Sequence, residues 1–391
     1  MSAGVSDLVF ERLPAHARIE DLEQEWRALE PELLQLPFAT YDWMCTWWQS
    51  LRAQKASVSD GLWLCTARTR SGKLRGIAPL MRTDRPGFGP LRMRQVHLLG
   101  ADPNITEIRS VLAPPQELQG VLTLLIDHLR KNAHEWDFMQ LTGVPAQLTT
   151  TLALDGLSDL GGYPVRDVPN FYLPLAPTWE DFKKGLSRNI KESLRKCYNA
   201  PKRDGVILEF DVVRDPAEAR PAVAEFLDLH RQRSTVEGTV KHPDVFASSQ
   251  SIDFLHAVCL RFAERDRLRI FRTKVAGRVI ATRIGFVCGD CLYLYYSGYD
   301  PAYGRYSVMT TTVAEAIQFA IREGFSTVNL STGADVSKLR WSPKEIVYTE
   351  SQLVSPSLRG ALTYQSYSWV RKHLDRAKGN PHLAGLLGRR A

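Results

Sequence analysis

CLYLYYSGYDPAYGRYSVMTTTVAEAIQFAIREGFSTVNLSTGADVSKLRW, from Cys291 to Trp341, is the stretch on which the reading of this 391-residue chain turns. Its opening alternates as a β-strand does: Leu292, Leu294 and Tyr296 on one face, Tyr293, Tyr295 and Ser297 on the other. A short turn, Asp300–Tyr306, follows, and Ser307 stands where a helix N-cap belongs. Met309, Val313, Ile317, Ala320 and Ile321 recur at helical spacing, and Gly324 supplies the stop. Thr327–Leu330 reads as a second strand, so the unit is strand, loop, helix, strand.

A unit of this kind offers an anion site at its helix start. First-turn amides have no partner within the helix, and the helix dipole lies behind them. Gly304 allows close backbone approach and Arg305 adds a fixed positive charge. A pyrophosphate fits that corner; a glycine that merely makes the turn fits the same residues.

Outward from this stretch the same order of elements occurs twice. Leu268–Val275 and Val279–Val287 form a hairpin about Ala276–Gly277, just before the tyrosine-rich strand. In the first half, Leu62–Thr69 and Leu74–Arg82 form a hairpin about Ser71–Gly72, and Met93–Leu99 is the third strand. A helix on Leu118, Val121, Leu122, Leu125, Ile126 and Leu129 and a strand at Trp136–Leu141 complete that half. The expectation is an α+β fold of two tandem lobes, 1–175 and 176–391, with mixed, mostly antiparallel sheets flanked by helices. The first lobe's loop, Gly100–Pro115, carries Asp102 and Glu107 and no glycine near the helix start. The phosphate site is therefore assigned to the second lobe, and the first is read as scaffold and part of the substrate cleft. Residues 8–13 read as a strand and Ile19–Leu34 as an amphipathic helix. In Phe38–Leu51, Trp43, Trp47 and Trp48 either pack or wall a pocket for an acyl chain or sugar ring.

Between the lobes, Thr178–Arg203 is strongly basic. Arg188, Lys191 and Arg195 fall on one helical face, read either as a solvated surface or as an anion-binding one. The net charge of +7 suits an anionic partner: coenzyme A, a nucleotide-sugar, tRNA or an anionic membrane face. No apolar run approaches the roughly 18 residues of a membrane span. MSAGVSDLVFERL has neither a basic n-region nor an apolar core, so a cytoplasmic protein is expected. Six scattered cysteines suit reduced thiols. Cys288–Gly289–Asp290–Cys291 has metal-type spacing but reads as a hairpin turn, with no second pair to complete a site; no metal is expected. The basic setting of Cys197 predicts a lowered thiol pKa.

Tyr299–Asp300–Pro301, Tyr303–Gly304–Arg305–Tyr306–Ser307 and Gly333–Ala334–Asp335 with Lys338 and Trp341 together resemble one group. They are similar to GNAT-superfamily acyltransferases of the type associated with cellulose and exopolysaccharide biosynthesis, and more distantly to Fem peptidyltransferases. The resemblance runs from about Phe10 to about Asp375. It departs from GNAT enzymes at the pyrophosphate loop, where Gly304 alone of the glycines remains. It implies a donor acyl-CoA (acetyl-CoA or longer), held by Ser297, Gly298, Tyr299, Tyr303, Gly304, Arg305, Tyr306 and Ser307. It implies a small-molecule acceptor, an amino sugar or secondary-metabolite amine, bound with help from Arg188, Lys191, Lys338 and Trp341. It further implies that the strand Leu292–Gly298 splays from its neighbour, that Tyr296 donates its hydroxyl, and that His230 or Asp335 is the base. His230 otherwise caps a helix end, and Asp335 otherwise caps the next short helix. DNA is not expected. An aminoacyl-tRNA donor, a non-catalytic role in polysaccharide synthesis and a membrane-proximal biosynthetic complex stay open beside the acyl-CoA reading.

Overall fold

The computed structural model describes residues 8–87, 92–102, 104–148, 163–236 and 243–378. Residues 1–7, part of the stretch read as lacking a secretory signal, lie outside these. The first half runs β1 (Leu8–Arg12), α1 (Glu23–Leu29), α2 (Tyr41–Leu51), β2 (Ser59–Thr69), β3 (Leu74–Pro86), β4 (Arg92–Leu98), α3 (Leu118–Lys131) and β5 (Phe138–Pro145). Then come β6 (Tyr163–Pro174), α4 (Trp179–Gly185) and α5 (Arg188–Arg203). The second half runs β7 (Glu209–Val213), α6 (Pro216–Ser234), α7 (Ser249–Ala263), β8 (Leu268–Val275), β9 (Arg278–Cys288), β10 (Cys291–Tyr299), α8 (Val308–Arg322) and β11 (Thr327–Thr332). A short α9 (Val336–Leu339), β12 (Lys344–Val354) and α10 (Leu358–Lys378) follow.

The fold is α+β, a mixed sheet flanked by helices. Two sheets were expected, but among the described residues the strands join into one of twelve, ordered β1-β2-β3-β4-β5-β12-β6-β11-β10-β9-β8-β7. The joint is an exchange: β12, from the end of the chain, lies beside β5, while β6 lies beside β11, across the 175/176 boundary. Among the described residues each half holds one parallel pair, β4/β5 and β10/β11, bridged by α3 and α8 respectively. Both parallel ladders are three residue pairs long, ending at His97↔Gln140 and Tyr293↔Asn329. Beyond those points the strands part.

Local chemistry explains several departures from simple periodicity. Ile19–Leu34 breaks into α1 with a 3-10 turn at each end, the second holding Pro31, which cannot donate to a helical ladder. The basic stretch forms two helices, the first capped by Thr178, whose hydroxyl accepts from Asp181 N at 3.1 Å. Asp300–Tyr306 is a 3-10 helix over Pro301–Tyr306, and Ser307 takes a left-handed conformation, φ 54°, without a side-chain cap.

One face of the sheet carries α2, α6 and α7 over a core that spans both halves, from Leu64 and Ile77 to Ile284 and Tyr295. Trp43 sits within it, edge-on to Phe38, Phe254, Phe286 and Tyr295. The other face carries α3 in the first half and α5 and α8 in the second. Trp341 is buried there, against the expectation that it meets substrate. None of the described helices is long and apolar enough to cross a membrane.

Gly298 is where α6 crosses β10. A Cβ there would lie 2.4 Å from His230 N and 2.6 Å from Leu229 C, so only glycine lets the helix seat. Gly298→Ala is expected to cost roughly 1–3 kcal/mol or more in stability. Gly61→Ala, which meets nothing within 4 Å, is the control. Denaturation midpoints check both, and equal midpoints would refute the assignment.

Candidate active site

A β-bulge between Leu294 and Ser297 shifts the register of β10 against β9. Tyr295 and Tyr296 consequently lie side by side, ring centroids 4.6 Å apart, instead of on opposite faces as alternation predicts. Together with Tyr293 they reach across to the first half. Tyr296 donates to Asn104 O at 2.7 Å, Tyr295 to Ile105 O at 2.5 Å, and Tyr293 to the Glu107 carboxylate. Asp102 braces the same loop from within, accepting from the amides of Asn104 and Thr106 (3.0 and 3.1 Å) and the Trp47 indole (2.8 Å). Trp43 adds its indole N–H to Thr106 Oγ1 at 3.1 Å. The tryptophans thus pack and anchor.

This grip places Glu107 where β10 and β11 part. Its second oxygen accepts from Ser331 Oγ at 2.8 Å. Burial pushes the Glu107 carboxyl up, and the Tyr293 and Ser331 hydroxyls with the nearby Lys338 and Arg283 charges offset only part of that. Ser331 itself has φ 75°, a strained setting for a side chain with a Cβ, held by its N–H on Asn329 Oδ1 at 2.8 Å.

Three cations gather here, Lys338 and Arg283 near Glu107 and Arg233 near Arg283. Arg283, from β9, donates to Leu294 O at 3.1 Å, and burial brings its pKa down to about 10. Arg233, from α6, donates to Ser297 Oγ at 2.9 Å and lies 5.8 Å from the Tyr299 ring centre; burial pushes it down too. Lys338 donates to Thr332 O and pairs with Asp335 at 3.3 Å, its pKa also lowered by burial. Arg283 and Arg233 went unread in the sequence. An arginine within the apolar run of β9 was the available signal, since a charge in a buried strand needs a reason.

The expected base candidates have other surroundings. His230 is buried, with Nδ1 donating to Ser297 O at 3.1 Å and its ring stacked on Phe226 at 5.3 Å. Burial pushes its pKa down, which keeps the imidazole neutral. Asp335 is pushed up by partial burial but held below the usual range by the Ser337 hydroxyl and Lys338, so it is a weak proton acceptor. The Tyr296 hydroxyl already donates to the loop, and burial pushes its pKa up.

The corner expected to hold the diphosphate is partly tied down. Tyr303 N donates to Asp300 O at 3.0 Å and Ser307 N to Gly304 O at 2.9 Å, so these amides are not a row of open donors. Arg305 donates to Tyr306 Oη at 2.6 Å, and Tyr306 donates to Asp204 at 3.0 Å. Gly304 has only the Tyr299 ring nearby, at 3.6 Å from a notional Cβ. On α5, Arg188 is exposed and Lys191 donates to Lys184 O at 3.0 Å, while Ile190, Leu194 and Cys197 are buried. The Cys197 thiol is pushed up by burial, not lowered by its basic neighbours. Burial likewise raises Cys291, to about 11. Among the described residues no group of three or more His, Cys, Asp or Glu is placed to hold a metal ion.

A cavity of about 450 Å³ is lined by Trp47, Met81, Arg85, His97, Asn104 and Ser251 among others. Burial, with Arg85 and Arg109 nearby, brings His97 down to about 3, so this lining imidazole is neutral.

Residues 187–339 match the sequence model of the family described as "Acetyltransferase (GNAT) domain", in keeping with a GNAT-like fold. No curated protein matches the chain. Among solved structures, FemX superposes with a TM-score of 0.57 at 10% identity, over 91% of this chain and 99% of that one. L-PGS from Bacillus licheniformis gives 0.50 at 10% identity, over 89% and 95%. At such identity both likenesses show the fold alone.

Because burial raises the Glu107 pKa, the folded chain favours its neutral form. That stabilisation is complete below the ordinary value of 4.5 and is lost as pH rises through the raised one. Glu107→Gln is expected to match the native chain in acid and to unfold at progressively higher denaturant as pH climbs. A constant difference at every pH would refute the shift.

Proposed function

We propose that the chain is an acyltransferase that moves an acyl group from acyl-CoA, acetyl-CoA or longer, directly to an amine, without a metal. The observation that carries this reading is Glu107, a carboxyl of raised pKa, held near the Lys338 and Arg283 charges where β10 leaves β11. Past Tyr293 the β11-facing edge of β10 has no ladder partner, which suits a thioester carbonyl seeking an amide donor.

In this reading Glu107 replaces His230 and Asp335 as the base. As the amine nitrogen bonds to the thioester carbon, its proton passes to the Glu107 carboxylate. The carbon–sulfur bond breaks, and the sulfur leaves with the bonding pair and takes a proton from Tyr299. His230 and Tyr296 act as positioning residues, fixing β10 and the loop. Asp335 orients Lys338, whose charge with that of Arg283 favours an acceptor or acyl group bearing negative or carbonyl oxygen. An amino sugar or a secondary-metabolite amine is the acceptor proposed.

Calorimetry with acetyl-CoA and longer acyl-CoAs tests the donor; no heat at millimolar concentration removes it. Glu107→Gln should bind acyl-CoA as the native chain does, while thiol release with a panel of amines falls about 10²- to 10⁴-fold. Native turnover should rise with pH through the raised Glu107 value, because only the ionised carboxylate accepts the proton.

A second reading keeps the site and takes the acyl group from aminoacyl-tRNA. It is favoured by the exposed basic side of α5, where Arg188, Arg195 and Lys196 face solvent. Transfer RNA binding that weakens steeply with salt, and fails when these three become Gln, would support it over acyl-CoA.

A further inference from the structure

Two asparagines meet in the middle of the sheet, Asn170 of β6 and Asn329 of β11, and both are buried. Each amide bonds the other: Asn329 Nδ2 donates to Asn170 Oδ1 at 2.8 Å, and Asn170 Nδ2 donates to Asn329 Oδ1 at 3.2 Å. Beside Asn329 along the strand, Val328 and Leu330 lie in the apolar core under α5 and α8. Two apolar side chains would fill the place of the asparagines with no polar group left to satisfy. The pair therefore calls for a reason other than packing.

The pairing of the two strands supplies one. Asn329 stands opposite Tyr172 and Thr332 opposite Asn170, so three steps along β11 match two along β6. The extra residue makes a β-bulge, and within it Ser331 takes its left-handed backbone, φ 75°. Ser331 N donates to Asn329 Oδ1 at 2.8 Å, and Ser331 Oγ donates to Glu107 Oε1 at 2.8 Å. Asn329 Oδ1 thus accepts from two donors, Ser331 N and Asn170 Nδ2. Turning that amide over would set its NH2 against both, so Ser331 and Asn170 together fix its orientation. An unbroken run of hydrogen bonds leads from β6 through the bulge to the carboxyl.

We propose that Asn329 and Asn170 are positioning residues for Glu107, holding Ser331 in the bulge so that its hydroxyl meets the carboxylate. A hydroxyl that donates to the ionised carboxylate favours that form. The brace therefore makes the proton-accepting form available at lower pH than burial alone allows. Its meaning for acyl transfer rests on the reading of Glu107 as the base; the brace itself does not. The other titratable or charged groups around the carboxyl are Tyr293, Tyr295 and Tyr296 on β10, Arg283 on β9 and Lys338 on α9. None of them is altered in the variants below.

The test reads the ionisation of Glu107 without turnover. In the full chain labelled with carbon-13 at its glutamate carboxyls, the resonance missing from Glu107→Gln belongs to Glu107, and its pH midpoint is followed. Ser331→Gly suits the left-handed backbone and should raise that midpoint by about one pH unit. Asn329→Ala should raise it by a comparable amount, and Asn170→Ala by less in the same direction. Adding Asn329→Ala to Ser331→Gly should change little further, because both act through one hydroxyl. Far-UV circular dichroism shows which variants fold; where Asn329→Ala does not, Asn170→Ala with and without Ser331→Gly makes the same comparison. An unmoved midpoint in Ser331→Gly, or in the asparagine variant that folds, overturns the proposal. Effects that simply sum in the double variant overturn it too. Raised midpoints with no acylation of any amine uphold the brace and refute the acyl-transfer reading alone.

Discussion

Three tyrosine hydroxyls of one strand hold a loop from the other half of the chain, and the chemistry of the site follows from that grip. A hydrogen bond of this sort is worth about 0.5–1.5 kcal/mol net, whereas ordering one backbone residue costs about 1–2 kcal/mol. Hydroxyls alone therefore do not fix the loop. Ile105 and Ile108 are buried beneath it, and burying such a side chain contributes about 1.5–3 kcal/mol. The division of labour is physical: apolar burial supplies the stability, and the hydroxyls set the register that points Glu107 at Ser331. The bulge in β10 makes this possible, because it puts Tyr295 and Tyr296 on the same side.

The charges around Glu107 are costly and incompletely compensated. Arg283 has its guanidinium on a carbonyl, Leu294 O, and its Nε lacks a hydrogen-bond partner. Arg233 adds like charge, which together with burial lowers Arg283. A cluster built for stability would pair each cation with a carboxylate, as Arg75 does with Glu117 and Glu32. Here a raised carboxyl and lowered cations lie close together, the combination that sites of chemistry tolerate and purely structural ion pairs avoid.

What the sequence disclosed and what it hid divide along physical lines. The hairpins, the strand–helix–strand unit and its double occurrence were legible, because periods of 2 and 3.6 and Gly-containing turns are local properties. The bulge was not: one inserted residue leaves the alternation Leu292–Ser297 looking regular, so Tyr296 was put on the wrong face. Glu107 was read as a mark against phosphate binding. Its partners lie 186 and 224 residues away, and no local pattern announces them. Trp341 and Cys197 were misread for a related reason: their chemical types suggested binding or reactivity, while their places in the core are set by distant strands. Ser307 stood at the predicted N-cap position, yet its left-handed backbone leaves the hydroxyl without the capping bond.

The two halves show why one repeated unit yields a single site of this kind. In the first half the gap left where β4 parts from β5 is closed by that half's own chain. Leu112 exchanges both backbone hydrogen bonds with Ile77 of β3, at 2.8 Å each. Thr142 of β5 donates to Arg109 O at 2.8 Å, and Gly143 lies so near that a Cβ would come within 2.1 Å of that oxygen. The segment from 109 to 112 thus takes the place a ligand would need. The residues just before it, 104 to 107, are the ones the tyrosines hold. A single loop therefore fills one pair of parted strands and arms the other, and a covalent join between the halves keeps it in register with both.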